Sequence, residues 1–482
     1  LKVQNLSRRD LLATAAALVV APTLAKAASD DWSRAAAIRR SVRAPSFPSR
    51  IWDIVSFGAV EGDVDATSAA IARAIQACAT AGGGRVLVPQ GRWPTGAIRL
   101  RSRVELHLAA GATLVFSTDP ARYAIVATRW EGVELMNYAP LVFADGERDV
   151  AITGRGTLDG QGKAWWSWSS GPQFGWRAGL PNQLKARQAL FDMAERGVPV
   201  AERVFGEGDY LRPMMVQFQN CTNVLVEGVT LRDSPCWTLH PVLCRNVTVR
   251  DVTFIGHGPN TDGCDPESVD GMVIERCTFD CGDDCIAIKS GRNADGRRLA
   301  KPTRNILIQD CVMKDGHGGV VIGSEVSGGV DNVFVQRCHM DSDQLWYALR
   351  FKNNAMRGGV IQDIYARDIT VGRVSRAAIL CDFNYEEGAR GGFTPVLRRV
   401  RIERMRARAA AQVADLQGLP NAALGEIVIS DCRFDGVTKP SVVAYAPALR
   451  LERVTVNGQR ATDLTSTQSK SATPSLAAPG SP

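Results

Sequence analysis

The chain has 482 residues, a formal charge of +7 and twelve cysteines. That charge is too small and too scattered for a nucleic-acid surface, and no RRM, zinc-finger or helix-turn-helix pattern accompanies it. No stretch approaches the roughly 20 apolar residues that cross a bilayer, so neither nucleic acid nor membrane is expected as a partner.

The chain starts with Ser7-Arg8-Arg9-Asp10-Leu11-Leu12, an apolar run from Ala13 to Ala21, and Ala25-Lys26-Ala27. A charged start, a short apolar region and an A-x-A cleavage pattern predict an export peptide over residues 1–27, and the arginine pair resembles a twin-arginine signal. The expected location is periplasmic or secreted. This leader carries +3, which leaves +4 for the remainder; so mild an excess suits a polyanionic substrate. Residues 28–50 read as a linker or a wrapped arm.

Ile51 to Gly58 reads as a strand. Thr67 or Ser68 then caps a predicted helix with Ala70, Ile71, Ala74, Ile75 and Cys78 on its apolar face. Gly82-Gly83-Gly84 ends it. Such a helix ahead of many strands would cover the open end of a solenoid.

From about residue 100 one phrase recurs: Asn or Asp, alternating apolar positions, two polar residues, then two more apolar positions. It appears as NVLVEGVTL from Asn223, NVTVRDVTF from Asn246, GMVIERCTF from Gly271, NILIQDCVM from Asn305, NVFVQRCHM from Asn332 and DIYARDITV from Asp363, with a weaker copy from Glu426. Period two inside the phrase and 23 to 36 residues between copies predict stacked parallel strands. The fold class is all-β: a single-domain right-handed parallel β-helix over residues 51–462, despite a length that would allow several domains. Cys277, Cys311, Cys338 and Cys432 share one repeat position with Val229, Val252 and Ile369, so they are read as small buried hydrophobes. Cys281 and Cys285 form the only close pair, without the histidines a zinc site needs.

Residues 161–212 break the rhythm with Trp165, Trp166, Trp168, Trp176 and a helix-like run, and read as a loop elaborated on the binding face. Residues 463–482 read as a disordered tail.

The chemistry converges after the strand phrases. Asp262 lies 16 residues after Asn246, Asp283 and Asp284 lie 13 and 14 after Asp270, His317 lies 12 after Asn305, and Arg350 and Lys352 lie 18 and 20 after Asn332. Each residue singly has an ordinary explanation as a turn residue. Together they should project from one side of successive coils about 4.8 Å apart, as a column of carboxylates, imidazole and cations suited to cleaving an acidic chain. Crowded carboxylates cannot all stay ionised, so one should keep a proton. Asn260, Lys289, Arg292 and His240 are further ligand candidates.

NTDG (Asn260–Gly263), GDDC (Gly282–Cys285), GHG (Gly316–Gly318) and Arg350-Phe351-Lys352 resemble the four signatures of the polygalacturonase family, glycoside hydrolase family 28. The third position of the last motif is kept and Phe351 is a conservative departure. DGCDPES, GDDCIAIKSGR and DGHGGVVIGSE are most similar to the bacterial exo-acting branch. The resemblance implies a metal-free inverting hydrolase of α-1,4-linked galacturonate; no cofactor and a monomeric state are expected. It implies Asp283 as general acid, ionised Asp262 and Asp284 activating water, His317 setting the acid's protonation, and Arg350 and Lys352 binding a substrate carboxylate. Within the family, rhamnogalacturonan or unsaturated oligogalacturonides are alternative substrates. A calcium-dependent pectate lyase and a non-catalytic carbohydrate-binding or adhesin solenoid are the competing readings outside it.

Overall fold

Each repeat phrase opens on a residue whose backbone turns left-handed. Asn223, Asn246, Asn305, Asn332 and Asp363 have φ between 56° and 60°, a conformation that costs most L-residues roughly 1–2 kcal/mol and that Asn and Asp tolerate. Gly271, at φ 83°, takes the place in its coil. The same amides clip one coil to the next: Asn246 Nδ2 donates to Asn223 Oδ1 at 2.6 Å, and Asn332 Nδ2 to Asn305 Oδ1 at 2.7 Å.

The computed structural model describes residues 20–465, with side chains from residue 31 onward. Most of the export segment and nearly all of the predicted tail lie outside the described residues. The repeat phrases stack in register as parallel strands, running Val224, Val247, Met272, Ile306, Val333, Ile364, Val400 and Ile427. They form a sheet of 13 strands whose order follows the sequence, one wall of a right-handed parallel β-helix. Val229, Val252, Cys277, Cys311, Cys338, Ile369 and Cys432 are all buried in its core. All twelve cysteines are buried free thiols.

Two elements at the N-terminus differ from expectation. Helix α1 (Val20–Ser41) runs through the boundary placed at residue 27. Its Ala35 and Ile38, with Val42 just beyond, pack on Val273, Leu307, Phe334 and Tyr365, so the segment after residue 30 is an arm folded onto the outer face of the sheet. Helix α2 (Val64–Thr80) buries the predicted apolar face, but its cap is Asp63, which accepts from the amides of Asp65 and Ala66. Thr67 and Ser68 instead turn their hydroxyls to the carbonyls of Val60 and Val64.

The 161–212 segment contains helix α3 (Leu184–Glu195). Ala186, Leu190 and Ala194 join Trp130, Leu135, Phe205 and Trp237 in a second, smaller core on the flank of the solenoid. Trp165 is 1% exposed and packs in the main core of the solenoid.

Because burial alone protects the thiols, a thiol-reactive dye should find almost none in the native protein and all twelve after denaturation without reductant. Fewer than twelve under those conditions would mean that disulfides form.

Candidate active site

Register decides which side chains meet. Leu239 aligns with Cys264, Cys264 with Ile286, Ile286 with Val320, and Val320 with Leu349. Asp262 and Asp284 both lie two residues before the aligned position, so they sit one above the other on adjacent coils. Asp283 and His317 both lie three residues before it and are likewise stacked. Arg350 follows it by one residue and Lys352 by three. The predicted column therefore forms, and the 22-residue spacing of Asp262 and Asp284 is one coil.

Asp262, Asp283 and Asp284 bring carboxylate oxygens within 4.8 Å of one another. Asp284 is held by cations: its Oδ1 accepts from Arg350 Nη1 at 3.1 Å and its Oδ2 from Lys352 Nζ at 2.7 Å. Asp283 Oδ1 lies 2.8 Å from His317 Nδ1. Lys289 Nζ lies 3.9 Å from Asp262 Oδ2, 3.6 Å from Asp265 Oδ1 and 3.2 Å from Glu325 Oε2. Its ammonium also sits 4.3 Å from the ring centre of Trp237.

Asp262 and Asp283 are pulled in opposite directions. Burial pushes the Asp262 carboxyl well above its usual range, reinforced by Asp265 and Asp283 and opposed by Lys289. Asp265 is pushed up by burial in the same way, against the pull of Lys289. Burial also works to raise Asp283, but the hydrogen bond and charge of His317, with Lys352 and Arg350, outweigh it and hold that carboxyl below the usual range. Burial disfavours the Lys289 ammonium, yet Glu325, Asp262 and Asp265 keep it charged. Burial and neighbouring acids thus raise the proton affinity of Asp262, while His317 and the two cations lower that of Asp283.

A solenoid face carrying three converging carboxylates, an imidazole and a pair of cations invites comparison with known enzymes. Residues 207–408 match the model of glycosyl hydrolases family 28. The fold superposes on a hyperthermoactive exopolygalacturonase from Thermotoga maritima with a TM-score of 0.85, at 43% identity over 89% of this chain and 97% of that one. The chain belongs to glycosyl hydrolases family 28. A probable polygalacturonase of Vitis vinifera is 28% identical over 377 residues, 76% of this chain and 69% of the relative. The exo-poly-alpha-D-galacturonosidase of Dickeya chrysanthemi is 25% identical over 70% of this chain and 58% of its own length, so the match leaves over a third of that relative uncovered.

Two predicted ligand residues of the family-28 protein have structural partners. His240 is fully buried, with Nε2 2.9 Å from Glu267 Oε2 and Nδ1 3.1 Å from Gln217 Nε2; burial holds its charge off, and it is a core histidine. Asn260 gives its side-chain oxygen to Arg212 at 2.7 Å, which braces the NTDG turn. Arg292 is tied to Glu325 at 3.2 Å and Glu386 at 3.0 Å. Glu325 was missed as a partner of Lys289, although it stands in DGHGGVVIGSE. Among the described residues, two sets of ligand atoms lie close enough to share a cation, the three carboxylates and, separately, His257 with Asp280 and Asp315. In the first, both oxygens of Asp284 are already occupied by Arg350 and Lys352, which repel a divalent ion.

Lys289 lowers the proton affinity of Asp262, so its removal must raise it. Lys289→Met is expected to move the acidic limb of the pH–rate profile up by about one unit, as one charge at this range allows. An unchanged limb in a folded variant would disconnect Asp262 from the profile.

Proposed function

We propose that the protein is an exo-acting hydrolase of α-1,4-linked galacturonan, in which Asp283 protonates the leaving oxygen. The observation that carries this reading is the position of Asp283. Its side chain is 19% exposed, against 4% for Asp262 and 1% for Asp284, so it is the acid a substrate can touch. A galacturonate carboxylate that engages Arg350 and Lys352 withdraws their positive charge from Asp283, and its proton affinity rises. The cluster's proton then passes to Asp283, and Asp262 is left ionised beside Asp284 to activate water. One proton changing place sets acid and base.

Two features support exo action. The Trp166 ring covers Gly258, where a Cβ would lie 2.2 Å from Trp166 Cε2. Arg187 of α3 pairs with Glu131 at 2.7 Å and lies 4.0 Å from Glu386, which in turn meets Arg292. The insertion and the turn carrying Glu386 thus approach each other through these charges, a junction suited to closing one end of the cleft. Export and a monomeric state remain part of the proposal, resting on the leader pattern and the self-contained solenoid.

Inversion rests on the family resemblance. The anomer formed first, read by NMR, is the deciding observation: β-galacturonate for inversion, α for retention.

Polygalacturonate should yield monomer or dimer from the outset, with slow loss of viscosity and no effect of EDTA; a ladder of oligomers would refute exo action. Unsaturated product absorbance with chelator sensitivity would point to a lyase. Asp283→Asn should lower kcat about 1,000-fold, within the range for a lost general acid, with an unchanged melting temperature. Arg350→Ala should raise KM about tenfold or more through loss of a charge-assisted contact.

A further inference from the structure

The register that stacks Asp283 on His317 continues through two more coils. Leu349 aligns with Ile379, so Trp346 and Arg376 occupy the same position as Asp283 and His317, three residues before the aligned strand residue. The backbone confirms the stacking: His317 N donates to Asp283 O at 3.0 Å, Trp346 N to Gly316 O at 3.0 Å, and Arg376 N to Trp346 O at 3.0 Å. Their side chains form one face-to-face column. The His317 and Trp346 rings are 3.8 Å apart at their centres and inclined by 21°. The Arg376 guanidinium lies 3.7 Å from the Trp346 ring centre.

An imidazole hydrogen-bonded through one nitrogen can still swing about that bond. Here the indole face blocks the swing on the side of the following coil. The indole is held in turn by the guanidinium beyond it, since an arginine stacks well on an aromatic face. Arg376 is exposed and, among the described residues, its guanidinium meets the Trp346 and Tyr347 rings and pairs with no carboxylate. Other charges around His317 are accounted for. Asp283 faces it from the preceding coil, with Lys352, Arg350, Asp262 and Asp284 around that carboxylate. Asp315, on the same turn, is bonded by Ser342 and faces His257.

We propose that Trp346 is a positioning residue that fixes the ring of His317 against Asp283, and that Arg376, across the indole, tunes the proton held by the His317–Asp283 pair. This deepens the proposed function and rests on Asp283 acting as the acid. A cation on the far face of the indole disfavours a second cation on the near face. Loss of the Arg376 charge therefore lets the pair keep its proton to higher pH.

The test compares pH profiles of kcat on polygalacturonate for the full-length wild type, Arg376→Gln, Trp346→Leu and Trp346→Phe, with Asp283→Asn as reference. Arg376→Gln should move the basic limb up by about half a unit, the scale of one partly solvated charge at this range. Trp346→Leu should lower kcat about tenfold with KM nearly unchanged, and Trp346→Phe, which keeps an aromatic face, should recover most of it. Superimposable basic limbs for Arg376→Gln and wild type, or equal kcat for Trp346→Leu and wild type, would overturn the inference. Should Trp346→Leu fail to fold, the exposed Arg376→Gln variant still decides. Activity retained in Asp283→Asn would instead overturn the functional reading beneath it, so the two failures are separable.

Discussion

Like charge crowded onto adjacent coils is the constraint around which this molecule is built. Asp262, Asp283 and Asp284 place oxygens within 4.8 Å of each other in a largely buried site, where an unpaired charge costs several kcal/mol. The repulsion is relieved in three distinct ways. Arg350 and Lys352 neutralise Asp284, His317 bonds Asp283, and burial favours the protonated form of Asp262. The cations are anchored further out, Lys289 by Glu325. Chemistry follows from that unequal settlement, because acids with different proton affinities can take different roles.

The β-helix supplies what this settlement requires. Parallel pairing fixes the height of each coil to that of its neighbours, so residues far apart in sequence hold one column without any loop having to find its place. Sites on such rigid elements are better defined than sites on loops. Buried valines, isoleucines and cysteines form the ladders, and left-handed Asn residues close each turn at the same point. The 161–212 insertion packs against this frame through its own core, while the proposed catalytic side chains come from the coils.

Much of this was legible in the amino-acid order. A period-two phrase recurring with Asn at its head is enough to imply stacking, and stacking is enough to bring Asp262, Asp283, Asp284, His317, Arg350 and Lys352 together. Residues whose role depends on depth were not legible. His240 reads as a ligand by type, but it is buried under Trp237 and paired with Glu267. Asn260 belongs to a motif, yet its amide is used by Arg212. Asp63 rather than Thr67 caps α2 because the helix starts one turn earlier than the apolar face suggests. The ionisation of Asp262 could not be read either, since burial and neighbouring charge set it, and neither is written in spacing.

The central claim is that one column both binds the substrate carboxylate and cleaves the bond beside it. A crystal structure of the Asp283→Asn variant with a short oligogalacturonide tests it most directly. The account predicts a sugar carboxylate on Arg350 and Lys352, with the glycosidic oxygen within hydrogen-bond distance of residue 283. A sugar chain bound with its carboxylates on other cations, and no glycosidic oxygen near residue 283, would contradict it.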